Sequence, residues 1–270
     1  MLIGYMDDSG STKTYLLTLS CVVSHGSQWW WFEKAWERVL EKKNEQLAAA
    51  GRPTISRYHA ADCNSRLKEF KGWTVEEQTE FTLSLIRVFQ RHATGVSAYS
   101  IDLRDLTEEF PEAKEDPKSL GHGILLTNVI WYIANNILGD KRWKTDRFAL
   151  VHDRGSYDGV LLNTFNSLKE DETLKHHKLL ASIESAGWGD EIRLQAADFL
   201  AFESFKIIER QRSDRERRKS MQAVLDLPSF GGRASLILPA GLKDIRGKLN
   251  EETLRLLFRN ARIRLPGKSR

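Results

Sequence analysis

Apolar and polar positions change their period several times along the chain, and each change marks an element. Residues 2–6 form a short apolar run and residues 15–23 are β-rich, with Asp8-Ser9-Gly10-Ser11 as turn chemistry between them. This opening predicts a hairpin. Over residues 29–50 the period lengthens, with Phe32, Trp36, Val39, Leu40 and Leu47 on one side, which predicts a helix stopped by Gly51-Arg52-Pro53. Residues 55–60 predict a third strand. Residues 74–92 predict a helix with Thr74 as N-cap and Glu77 three positions on, a capping box. Residues 96–103 alternate as a strand, and residues 107–119, with two prolines and many charges, read as a loop.

The second half repeats the alternation. Helices are predicted over 120–138, 158–170 and 192–212, and strands over 147–152 and 179–183. Strands alternating with helices after a hairpin imply an α/β fold, a mixed sheet with helices on both faces. Beyond Pro228 a smaller segment carries Gly231-Gly232, a strand-like stretch at 234–238 and a helix over 251–260. There is no internal repeat.

Composition narrows the class. With 270 residues, 41% of them hydrophobic, the chain can fill a sizeable core. No apolar run approaches the roughly 18 to 20 residues of a membrane span, and Met1 to Asp7 lacks a basic leader, so the expectation is a protein without a membrane partner in the cytoplasm. Cys21 and Cys63 have no C-x-x-C partner, which points to reduced packing residues rather than a disulfide framework or zinc knuckle. The net charge of +4 is mild, but Arg210, Arg212, Arg215, Arg217, Arg218 and Lys219 lie close together, and Arg255, Arg259, Arg262, Arg264, Lys268 and Arg270 follow. The first cluster suits a phosphate backbone; interleaved Glu209, Asp214 and Glu216 make a solvated helix face the plainer reading. Trp29, Trp30 and Trp31 suit stacking, a homodimer contact or plain packing.

The candidate chemistry is acidic. Asp7-Asp8 follows the first strand, His59-x-x-Asp62 precedes the capped helix, Asp153 closes a strand and Asp198 opens a long helix. Gathered carboxylates repel unless a cation or proton compensates them. Asp7 also suits turn chemistry, and alternation puts Asp7 and Asp8 on opposite faces of a strand. Asp153 follows Phe148-Ala149-Leu150-Val151-His152 and so emerges at a strand's carboxyl end, where α/β sheets bind ligands; it also suits a pair with Arg154 or a helix cap. Asp198 sits among Ala196, Ala197, Phe199, Leu200 and Ala201, and a buried carboxylate needs a partner. Gln195 lies near it on the same helix and orients a ligand or bonds backbone. His59 and Asp62 add a proton-transfer group or outer ligand, or are structural. Phosphate-binding G-x-x-x-x-G-K-[ST], dinucleotide G-x-G-x-x-G and nucleophile-elbow G-x-S-x-G motifs are missing, and His176-His177 cannot form a helical zinc pair.

Three motifs together carry a resemblance: Asp7-Asp8-Ser9-Gly10, Tyr58-His59-Ala60-Ala61-Asp62, and Leu194-Gln195-Ala196-Ala197-Asp198-Phe199-Leu200-Ala201. Over residues 2–210 the chain resembles the bacterial domain-of-unknown-function family thirty-eight-hundred, which is thought to belong to the ribonuclease H-like superfamily. The first motif departs from that family's usual Asp-Glu-Ser-Gly at Asp8. The resemblance implies a ribonuclease H-like domain over residues 1–225, with residues 226–270 packed on it as an extension. It implies Asp7, Asp153 and Asp198 as catalytic metal ligands, with Asp8 as a further ligand and Ser9, His59, Asp62 and Gln195 in support. The metal would be Mg²⁺ or Mn²⁺, one ion or two, and the activity a nuclease acting on DNA or RNA. The alternative is a catalytically silent nucleic-acid- or protein-binding regulator of the same fold, including one in a defence or toxin system.

Overall fold

The computed structural model describes residues 1–11, 13–143, 145–187, 189, 191–214, 216, 219–226, 234–248, 251–261 and 263. Its first two strands, β1 (Leu2–Ser11) and β2 (Leu16–His25), pair antiparallel. β3 (Gly95–Asp102) continues antiparallel to β2, while β4 (Phe148–Asp153) joins β1 in parallel and β5 (Leu180–Ala186) joins β4 in parallel. With β6 (Ala234–Ile237) parallel to β3, the six-stranded mixed sheet runs β5-β4-β1-β2-β3-β6. The strand in the C-terminal segment therefore extends the same sheet.

Strand alternation gives the sheet two apolar faces. Met6, Leu17, Leu19 and Leu150 face α5 (Pro117–Asn136) and α6 (Asp158–Glu170). Tyr5 and Val22 face α1 (Gly26–Ala49), α3 (Val75–His92) and α7 (Leu194–Arg212). The second core is aromatic: Tyr5 meets Trp29 edge-on at 4.7 Å, Trp29 meets Phe32 at 4.9 Å, and Phe32 stacks on Trp36 at 5.3 Å. Helical spacing buries Trp29 and leaves Trp30 and Trp31 exposed, edge to face at 4.4 Å. Short helices α2 (Ala60–Ser65), α4 (Leu103–Glu109), α8 (Lys219–Leu225) and α9 (Pro239–Lys248) join the larger elements, and α10 (Glu251–Asn260) sets Phe258 against Phe110 at 6.3 Å. No helix among the described residues is long and apolar enough to cross a membrane.

Three sequence expectations change. Asp8-Ser9-Gly10-Ser11 is strand, not turn, because buried Leu16, Leu17 and Leu19 of β2 draw the whole run into pairing, Gly10 opposite Leu17 and Ser11 opposite Leu16. Residues 55–60 form no strand, because side chains take their backbone groups: Asn44 pairs with both the N–H and C=O of Ile55 at 2.8 Å, and Glu69 accepts from Ser56 N at 3.0 Å. Residues 107–119 are partly helical, since Asp102 caps α4, and Asp116 caps α5 by accepting from Ser119 N at 3.2 Å with Pro117 at the first position. Gly231-Gly232 and the basic residues Arg262, Arg264, Lys268 and Arg270 lie outside the described residues.

The capping box of α3 also ties two helices together. Glu77 accepts from Thr74 N at 2.9 Å and pairs with Arg52 at 2.7 Å and with Lys43 of α1 at 3.3 Å. The Thr74 N–H first, then the two cations, draw its carboxyl from an ordinary 4.5 to about 2. A depressed carboxyl stabilises the fold above its unfolded value and loses that contribution as pH falls through the folded one. Glu77→Ala is expected to cost about 1 to 2 kcal/mol in urea unfolding at pH 7. The variant should also lose less stability than wild type between pH 4.5 and about 2.

Candidate active site

Parallel register sets the first two acidic groups side by side. Met6 of β1 lies opposite His152 of β4, so Asp7 and Asp153 come next in line at the carboxyl end of β4. Alternation puts Asp7 on the face of Tyr5 and Asp153 on the face of Val151, and both belong to the side covered by α7. Ser20, the β2 partner of Asp7, donates to the Ala197 carbonyl at 3.0 Å. This bond fixes the first turn of α7 over Asp7 and brings in the next residue, Asp198. The Asp198 side chain is buried and accepts the Ala60 N–H at 2.7 Å, a bond that the first turn of α2 supplies.

These carboxyls feel one another. Burial first, then repulsion from Asp198, Asp8 and Asp153, holds the Asp7 carboxyl well above the usual range, against a 2.8 Å hydrogen bond from Asp8 N. Burial pushes Asp198 up to about 6, with Asp153 and Asp62 adding to the rise and the Ala60 N–H and His59 opposing it. Among the described residues no Lys, Arg or His lies within ion-pair distance of Asp7. Nor is any group of three or more His, Cys, Asp or Glu side chains among the described residues placed closely enough to hold a metal ion.

The remaining candidates divide. His59 caps α2, and its Nδ1 lies 2.8 Å from Asp62, which Lys68 also reaches at 3.0 Å. Burial raises the Asp62 carboxyl, but Lys68 and His59 prevail and hold it below its ordinary value. Asp62 is therefore already satisfied, one step outside Asp198. Gln195 is a clamp: its Oε1 accepts from Trp36 Nε1 at 3.1 Å and from Tyr58 N at 3.0 Å, tying α7 to α1 and to the 55–60 segment. Ser9 shares the Asp7 face, two positions on. Asp8 does not join that group; it is exposed on the opposite face, across from Leu19.

A scan against protein-family models finds no match, and neither does a search of curated proteins.

Of the basic cluster, Arg215, Arg217 and Arg218 lie outside the described residues. Arg210 donates to the Glu216 carbonyl at 2.6 Å and Lys219 is exposed. Arg212 pairs with buried Asp102, which also holds Arg104 at 2.8 Å, and sits about 21 Å along α7 from Asp198. Beyond these, the structure adds a cavity of about 750 Å³ lined by His59, Asp62, Arg57, Lys68, Arg193 and Gln195 among others. Its sequence signal was slight, since those residues come from segments far apart.

Asp198 supplies a pH test. Its raised carboxyl binds a proton more tightly folded than unfolded, so metal-free stability falls as pH rises from 3.8 toward about 6 and stays lower above it. Asp198→Asn retains an acceptor for Ala60 and removes the charge. It is expected to stabilise the metal-free protein by about 1 to 3 kcal/mol above pH 6 and hardly at all below pH 4. Thermal unfolding in EDTA across this range is the measurement.

Proposed function

We propose that this protein is a divalent-metal-dependent phosphodiester hydrolase, a nuclease on a ribonuclease H-like fold. One observation carries the reading: Asp7 of β1, Asp153 of the neighbouring strand and Asp198 of a late helix are gathered on one face, where the charge of each disfavours that of Asp7. An acidic first strand, a second acid ending its neighbour and a third on a C-terminal helix are what the resemblance to the ribonuclease H-like superfamily implies. Gathering such charge costs stability unless something neutralises it, and the donors are all hard oxygens, which suit Mg²⁺ or Mn²⁺.

Asp7, Asp153 and Asp198 are the residues that would hold the ion; among the described residues they do not stand as a ready-made ligand set, so their side chains would have to draw in around it. When bound, the metal supplies charge neutralisation for a phosphodiester oxygen and activation of water. The chain's own contribution is orientation. The Ala60 N–H fixes one Asp198 oxygen. Ser20 and Gln195 hold α7 in place, and the His59–Asp62–Lys68 group keeps Asp62 occupied. Arg210 and exposed Lys219, toward the far end of α7 and beyond it, are the described basic residues that would meet the substrate backbone away from the acidic group.

The test is cleavage of labelled single- and double-stranded DNA and RNA with Mg²⁺, Mn²⁺ or EDTA. Cleavage is expected only with metal, and Asp198→Asn should lower it about 100-fold or more. Failure of the folded protein to cut any of the four substrates would replace this reading with that of a binding or regulatory protein.

A further inference from the structure

On the other face of β1 a smaller cleft has a different donor set. His122, in the apolar helix α5, is 1% exposed, and its ring stacks on Tyr157 with centroids 4.0 Å apart and planes at 19°. Its Nδ1 donates to the Lys118 carbonyl at 2.8 Å, because a carbonyl can only accept. In the neutral ring that fixes Nε2 as a lone pair. This Nε2 is buried and has no hydrogen-bond partner; it faces an Asp8 carboxylate oxygen at 3.7 Å. Two acceptors thus confront each other with no donor between them.

Size and charge say what belongs there. The cleft holds about 30 Å³, room for an ion or a water or two and for nothing larger. Four carboxylates, Asp7, Asp8, Asp153 and Asp158, line it, and no Lys or Arg does. A water would satisfy both acceptors but leave that charge in place; a cation answers both demands. The Nδ1–H to carbonyl bond is also the arrangement that orients a metal-ligating histidine.

We propose that His122 Nε2 and Asp8 form a mixed nitrogen–oxygen cation subsite, its other positions filled by water, that takes divalent transition-metal ions, Zn²⁺ and Co²⁺ before Mn²⁺, in preference to Mg²⁺. Its ligands, His122 and Asp8, differ from the Asp7, Asp153 and Asp198 group, although Asp7 and Asp153 also border the cleft, and the subsite does not rest on the nuclease reading.

Pulsed EPR of Mn²⁺ added to the full chain tests it by nitrogen coupling from a bound imidazole. The coupling is expected in wild type and in Asp198→Asn, and is expected to vanish in His122→Phe. Because His122 is buried and its replacement can disturb folding, exposed Asp8→Asn is the second variant; it should weaken the nitrogen-coupled Mn²⁺ about tenfold. No Mn²⁺ binding, Mn²⁺ bound without nitrogen coupling, or coupling that survives loss of His122 would each overturn the subsite, and the cleft would then hold only water or a protonated His122 paired with Asp8. The two proposals fail separately: coupling without cleavage of nucleic acid removes the nuclease alone, and Mn²⁺-dependent cleavage without coupling removes the subsite alone.

Discussion

A single register, Met6 of β1 opposite His152 of β4, decides which acidic groups meet. A slip of one residue would turn Asp153 to the face of α5 and α6 and bring His152 under α7. The register is held by burial on both sides: Met6, Leu150 and Phe148 are locked into one core and Tyr5 into the other, so neither strand can shift without exposing a face. Gly4 tightens the lock. A Cβ there would lie 2.8 Å from both Cys21 Sγ and Leu150 Cδ2, so the core side chains of the neighbouring strands can close over that position only because it carries none.

The irregular segment 55–60 matters as much as the strands. It makes no ladder of its own, and two of its backbone donors are spent on α7: Tyr58 N on Gln195 and Ala60 N on Asp198. The Tyr58 ring packs among Trp36, Phe70, Phe81 and Phe199, each at 5.9 to 6.5 Å. A rigid aromatic core thereby aims one N–H at one carboxylate. That hydrogen bond is the main force favouring ionised Asp198, and burial outweighs it.

Patterns that depend on neighbours in sequence were readable. The α3 capping box, the limits of α6 and α10 and the apolar setting of Asp198 all follow from residues within a few positions of each other. What escaped depended on distant partners. Turn-forming Asp8-Ser9-Gly10 became strand because β2 offered buried leucines to pair with, and residues 55–60 lost their strand because Asn44, Glu69 and Gln195 compete for the backbone. His122 looks like a core histidine in an apolar helix; only the fold brings Asp8 from β1 and Tyr157 from the approach to α6 against it. Local signals thus revealed where the carboxylates sit but not which pairs face each other.

Alternation along β1 turns one dipeptide into two sites. Asp7 lies on the α7 side of the strand and Asp8 on the α5 side, yet they remain close enough for Asp8 to help raise the Asp7 carboxyl. The same Coulomb term acts in reverse. Any positive charge set against Asp8 cancels part of that repulsion, which favours ionised Asp7 and strengthens its pull on a cation of its own. Charge on one face of the sheet is therefore felt on the other through a single peptide unit, with no movement of the backbone. The dipeptide Asp7-Asp8 is the shortest path by which the two faces can be coupled.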